Sequence, residues 1–450
     1  MTAFVRRHIR EFRNRAWDLL EKPYSGTVVA TAIGLTVAVL LTAGFILDLG
    51  WVASWKVIGF PGALPPFYDL HAVTSKAGAC AAAGNVYPYV SAPCNPWPKF
   101  NYPPIWLLLG KLGINETHTV LLASLIEVPA LVMLAINVRG RSVRAGFISL
   151  LMIFSPSSIL AFERGNIDIA IWVLVCAAAL IFHEQHRLRA VLSLMLLGFG
   201  VVLKFLSVFC CVLFIRFRSA AMLTSILLVV FTAVYVSTLW DVLPLIRHYT
   251  PLTPYISYGY PIIFDRLEFV YAPYLGLNLT GLTNSPIPII SVSLFIIGSM
   301  GYGLRTWRGD CELGRVPDGT TGTSFLFGAG VFCGSFLLGT NYTYRLIFLL
   351  LCLPQMLDWI ETRRTSARRS RRLGWVLFAS CVISMWLKFH PEKSLHINQI
   401  TDWIVLGTMT MVLTVNALNG LSEAAPSLAA HLQAEKHRPA SAPTLADNGP

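Results

Sequence analysis

Residues 190–218 read AVLSLMLLGFGVVLKFLSVFCCVLFIRFR, uncharged except for Lys204 near the middle and Arg216 and Arg218 at the end. As one helix of 29 residues, this stretch would hold an ammonium group at its centre, where snorkelling cannot readily account for it. As two short segments, 190–203 and 205–215, it brings Lys204 to a break on the membrane face opposite Arg187, Arg189, Arg216 and Arg218. The choice sets the sidedness of every later loop. A single segment turns the six arginines between 363 and 372 outward, against the preference of Lys and Arg for the cytoplasmic side. The two-segment reading puts them inside, together with 24 of the 35 basic residues in all.

Composition agrees with a chain built around the bilayer. Of its 450 residues 55% are hydrophobic and only 13% charged, with a mean hydropathy of +0.62. Soluble domains carry about 25% charged residues. Apolar runs that approach the roughly 20 residues of a membrane helix recur along the chain. They predict about twelve segments, at 26–47, 118–138, 145–161, 168–183, 190–203, 205–215, 220–240, 284–304, 323–340, 345–360, 373–388 and 400–419. The fold class expected is an all-α integral membrane protein, a polytopic helical bundle with long loops on its outer face. A basic N-terminal segment, 1–25, and a polar tail, 420–450, lie on the cytoplasmic side, and the tail's Ala/Pro/Ser content predicts disorder. Residues 26–419 form the membrane domain, with outer loops at about 48–117 and 241–284. In the first loop the short apolar piece Pro103 to Gly113 is expected to lie along the interface, with Trp106 as its anchor. The net charge of +12 is scattered over loops, which serves topology and argues against nucleic-acid binding. Cys80 and Cys94 share the first outer loop and are a candidate disulfide, and no metal-ligand spacing occurs.

The chemistry-bearing residues gather on the outer face. Phe162-Glu163-Arg164-Gly165-Asn166-Ile167-Asp168 puts three ionisable groups and an amide between two apolar segments. Charge at a membrane boundary is costly to desolvate, so such a cluster is a candidate site, although Gly165 and Asn166 also suit a plain turn closed by a Glu–Arg pair. Asp69 stands among prolines and aromatics in Pro65-Pro66-Phe67-Tyr68-Asp69, a setting in which a carboxylate can act as a base. Asn101 and Tyr102 precede Pro103-Pro104, either as a helix start or as the lining of a polar pocket. Asn341-Tyr342-Thr343-Tyr344-Arg345 opens the tenth segment. Arg164, Lys204 and Arg345 are cations suited to phosphate, and the aromatics to sugar rings. Glu127 lies inside a segment, either paired or part of a relay. No Walker A or useful G-x-G-x-x-G occurs, which speaks against a soluble nucleotide sugar as donor.

In their order and spacing, Asp69, Asn101-Tyr102-Pro103-Pro104, Gly165-Asn166 with Asp168, Lys204 and Asn341-Tyr342-Thr343-Tyr344-Arg345 resemble polytopic glycosyltransferases of the GT-C fold. The nearest family is glycosyltransferase family 87, whose members are polyprenol-phosphate-dependent and mannosyltransferase-like. The resemblance covers about Gly26 to Asn419. It implies a GT-C helical bundle whose catalytic base is an acidic residue in the first outer loop, here Asp69. It also implies a polyprenyl-phosphate sugar donor, mannose-like, with an envelope glycolipid or glycan as acceptor. The setting it implies is a bacterial inner membrane. The substrate-binding set is then Asn101, Tyr102, Glu163, Arg164, Asn166, Asp168, Lys204, Asn341, Tyr342 and Arg345. Glu163-Arg164 falls outside the family pattern. The cations suffice for a monophosphate, so neither metal nor cofactor is expected. Two other readings stand beside this one: a transporter or flippase of a lipid-linked or anionic substrate that uses Glu127 and Lys204, and a non-catalytic assembly subunit.

Overall fold

The computed structural model describes residues 18–436 except 19, 48, 58–59, 61, 85–88, 90–99, 251–256, 275, 277, 311, 363–367 and 388–390, with the backbone alone at 45–46, 270–271, 391–396 and 426–436. Among the described residues the only strands are Ser257–Tyr258 and Asn341–Tyr342, paired antiparallel, and the regular structure is otherwise helical. Among the described residues six helices are long and apolar enough to cross a bilayer: Ser25–Gly44, Glu116–Asn137, Ser219–Thr238, Ile287–Gly309, Thr320–Leu338 and Ile397–Ala425. Counting each of two bent helix pairs as one span gives up to eight. The protein is an all-α membrane protein, and each apolar stretch picked out in the sequence lies on a helix or a bent pair.

The stretch at 190–218 breaks at the expected point. The Arg187–Lys204 helix ends at Phe205, and the chain returns as the 3₁₀ helix Leu206–Arg216. Ser207 Oγ donates to the Leu197 carbonyl at 2.9 Å, and Arg216 reaches Glu184, beside the start of the first leg, at 3.0 Å. The two legs form a hairpin with Lys204 at its tip. Eleven residues look short for the return leg, but a 3₁₀ helix rises about 2.0 Å per residue, so they cover roughly 22 Å where an α-helix would cover about 16 Å. Trp106 is not the interfacial anchor the sequence suggests. It is buried, and its Nε1 donates to the Leu203 carbonyl at 3.0 Å. That carbonyl lies in the last turn of a helix, where intrahelical partners run out.

Two expected straight segments are broken. At 145–161 the axis turns by 64° between Val143–Ile153 and Pro156–Glu163. Ser155 starts the second helix there by accepting the Ser158 N–H, and Pro156 fills the first position, where no N–H is needed. At 345–360 the 3₁₀ helix Thr343–Leu351 meets Leu353–Glu361 at 52°. Thr320–Leu338 occupies the centre of the bundle and is buried along most of its length. The hairpin's return leg packs closely on it: a methyl group at Gly334 would lie 2.1 Å from the Phe209 ring.

One end of the bundle is rich in arginine. Arg141 grips Asp358 through Nε at 3.0 Å and Nη2 at 3.2 Å, and Glu184 joins Arg216 and Arg218. The opposite ends of the same helices carry the polar cluster described below. The last helix continues to Lys436. Cys80 is disulfide-bonded. Its expected partner Cys94, most of the basic segment 1–25 and the tail beyond Lys436 lie outside the described residues.

Candidate functional site

The turn between Pro156–Glu163 and Ile167–Ile181 is the seat of the cluster. Gly165 takes φ +57°, a conformation that costs glycine little. Asn166 caps the following helix, its Oδ1 accepting the Asp168 N–H at 2.9 Å. That bond fixes which end of the amide faces outward: Nδ2 donates to Asp69 Oδ2 at 2.5 Å. The Asp69 N–H in turn donates to the Arg164 carbonyl at 3.0 Å. Asp69 opens the Tyr68–Ala82 helix, entered through Phe67 in the left-handed region at φ 53°. A Cβ at Gly165 would lie 2.8 Å from the Phe67 Cβ. We therefore expect Gly165→Ala to displace the Asp69 segment and to cost about 1–3 kcal/mol of stability, measurable as a lower thermal midpoint.

One oxygen of Asp69 is thus engaged, and Oδ1 has no hydrogen-bond partner among the described residues. Burial raises the proton affinity of this carboxyl above the usual carboxylate range, and the Asn166 bond and the charges of Arg164 and Lys204 oppose that rise. A half-buried carboxylate with one oxygen clamped and one free is in position to accept a proton.

Next to it lies a buried triad. Asp168 is fully buried in the first turn of its helix, with Lys204 Nζ at 2.6 Å and Arg345 Nε at 3.3 Å. Each helix end favours the charge it carries, a carboxylate at an N-terminus and an ammonium at a C-terminus. The side chains of Lys204 and Arg345 are 15% and 16% exposed. Two cations share one carboxylate, which leaves a net positive charge in a weakly screened place. The Lys204 ammonium also lies 5.5 Å from the Tyr102 ring centre and 5.8 Å from that of Tyr344. Tyr342 stacks on Tyr344 at 5.2 Å. Arg345 Nη1 donates to Asn341 Oδ1, and Asn341 Nδ2 is held by the carbonyls of Ser335 at 2.5 Å and Gly339 at 2.8 Å.

The structure therefore brings together Asp69, Tyr102, Arg164, Asn166, Asp168, Lys204, Asn341, Tyr342 and Arg345, which are spread over 277 positions of sequence from Asp69 to Arg345. Glu163 sits behind them. Its carboxylate faces the first long loop, accepting the Ala63 N–H at 2.5 Å and the Trp51 indole at 3.4 Å. Asn101 is half-buried and makes no hydrogen bond among the described residues. Glu127 lies within the Thr119–Asn137 helix, one carboxyl oxygen buried without a hydrogen-bond partner among the described residues.

Sequence reasoning left three members of the cluster out of its site. Tyr68 lies under the Arg164 guanidinium, 5.2 Å from ring centre to carbon. Tyr344 flanks Lys204, and the strand Ser257–Tyr258 pairs with Asn341–Tyr342 to hold that segment. Tyr68 and Tyr344 adjoin quoted site residues, but nothing local marks the strand, since two residues carry no period. No family model, no curated protein and no solved structure matches the chain.

Proposed function

We propose that the protein is a membrane glycosyltransferase of GT-C type with about twelve membrane segments. It moves a mannose-like sugar from a polyprenyl-phosphate donor to an envelope glycolipid or glycan on the outer face of a bacterial inner membrane. The observation that carries this reading is the juxtaposition of a base and an anion receptor on one short segment. Asn166 clamps Asp69, and two residues later Asp168 holds Lys204 and Arg345. In the step itself, Asp69 Oδ1 takes the proton of the acceptor hydroxyl. The hydroxyl oxygen attacks the anomeric carbon from the side opposite the phosphate. The bond between that carbon and the phosphate oxygen breaks, and its electron pair leaves on the polyprenyl phosphate. The excess positive charge of the Lys204–Asp168–Arg345 triad stabilises the growing phosphate charge, and the faces of Tyr102 and Tyr342 suit a sugar ring. The site end of the bundle is the outer face in this account, because the opposite end carries the arginines that keep loops inside.

Purified full-length protein should release one polyprenyl phosphate for each glycoside formed. Lys204→Met should lower kcat by about 10²–10³-fold, since it removes one of the two cations. Unchanged turnover in Lys204→Met would remove the triad from the chemistry. The transporter reading draws on Glu127, which has one buried carboxyl oxygen without a hydrogen-bond partner among the described residues. It draws less on Lys204, which is already bound to Asp168.

A further inference from the structure

Glu163 and Arg164 have no part in the transfer step above, yet Glu163 is the more deeply buried of the two, with a side chain only 1% exposed against 32% for Arg164. Its carboxylate has three partners from two regions. Oε1 accepts the Ala63 N–H at 2.5 Å and faces Trp51 Nε1 at 3.4 Å, while Oε2 lies 3.2 Å from Arg164 Nε. Trp51 packs its ring on Phe67 at 4.7 Å. Phe67 seats against Gly165, and Asp69 follows two residues later, tied to the Arg164 carbonyl and to Asn166. The loop that carries Asp69 is thus fastened to the 163–166 turn at both ends: at Ala63 by Glu163, and at Asp69 by Arg164 and Asn166.

We infer that Glu163 is a positioning residue: it docks the first long loop on the turn and balances the Arg164 guanidinium, and through both it sets the place and the charge environment of Asp69. This rests on the reading of Asp69 as the base. A buried carboxylate with a backbone N–H, an indole and a guanidinium around it is costly to desolvate and stays charged only while these partners are present. A plain turn needs none of this. The charged groups that face Asp69 are Arg164 and Glu163 from the turn, Asp168 from the Ile167–Ile181 helix and Lys204 from the hairpin tip. Tyr102, Tyr342 and Tyr344 are the neutral titratable neighbours. Removing the negative charge of Glu163 leaves Arg164 unopposed beside Asp69 and favours the anionic form of the base.

The test compares wild type, Glu163→Gln and Glu163→Ala as full-length proteins in nanodiscs, by hydrogen–deuterium exchange over residues 62–69 and by the pH dependence of transfer. In Glu163→Gln the amide oxygen still accepts the Ala63 N–H. The segment should exchange as in wild type, while the acidic limb of kcat/KM moves to lower pH by about one unit. In Glu163→Ala the loop loses its anchor. Exchange over 62–69 should rise about tenfold and kcat/KM fall about 10²-fold, with Glu163→Gln recovering most of that loss. Wild-type exchange in Glu163→Ala, or an unmoved acidic limb in Glu163→Gln, would overturn the inference. If the wild type transfers no sugar, the transfer reading fails by itself, and the exchange comparison still decides whether Glu163 docks the loop.

Discussion

Asp69→Asn should fold as the wild type does and lose sugar transfer by about three orders of magnitude. The substitution is nearly isosteric. Asn166 Nδ2 can still donate to the side-chain oxygen at position 69, and the backbone bond from residue 69 to the Arg164 carbonyl is untouched. Only the proton-accepting lone pair of a carboxylate disappears. A positioned general base contributes about 10²–10⁴-fold, and nothing else nearby can replace it: Asp168 is held between Lys204 and Arg345, and Glu163 faces the loop. The pH dependence follows from the same geometry. Burial raises the proton affinity of Asp69, so the acidic limb of kcat/KM should lie above the ordinary carboxylate range and vanish in Asp69→Asn. Kinetics of both proteins from pH 4 to 8, with circular dichroism as the control for folding, check the two statements together. A variant with full turnover would remove Asp69 as the base.

Asp168→Asn should be the most destabilising single change in the site. The wild-type carboxylate is fully buried and offsets two cations at 2.6 and 3.3 Å. Neutralising it leaves Lys204 and Arg345 facing each other with low exposure and no carboxylate in contact with either. Breaking a buried ion pair by removing one partner costs about 3–5 kcal/mol, a large part of a typical folding free energy. The cap of the Ile167–Ile181 helix is spared, because Asn166 supplies it and bonds only the backbone of residue 168. Thermal unfolding of Asp168→Asn, Lys204→Met and the double variant tests the assignment. The double variant should lose much less than the sum of the two single losses, since it removes one charge of each sign and returns the cluster to its wild-type net charge. Additive losses would mean that the triad is not a coupled unit.

The parts of this architecture that were legible in the sequence are those that a charge makes visible. Lys204 marks the hairpin tip because an ammonium inside an apolar run demands an exit, and the arginines on either side fix which way the chain returns. The cluster at 162–168 stands out for the same reason. The rest hides where local sequence does not carry it. The return leg reads as too short because no residue in it marks the 3₁₀ geometry that lengthens it, nor its close packing on Thr320–Leu338, where Phe209 meets Gly334. Trp106 reads as a membrane anchor because a tryptophan near an interface usually is one. Only the tertiary position of Leu203 reveals its hydrogen bond. The bend before Pro156 has its signal in Ser155-Pro156, a cap and a first-turn proline, inside a run whose hydropathy alone reads as one span. Asn166 is legible as a turn residue, but its grip on Asp69 joins positions 97 residues apart, and no spacing rule reaches that far.

Sugar transfer is measured with purified full-length protein given polyprenyl-phosphate-mannose, and other polyprenyl-phosphate sugars, labelled in the sugar, together with candidate glycolipid acceptors. Label should appear in the acceptor, with inverted anomeric configuration and an equal amount of free polyprenyl phosphate. The contradicting result is intact donor after incubation with every acceptor, accompanied by movement of the labelled lipid between leaflets of sealed vesicles, which is what a flippase would produce.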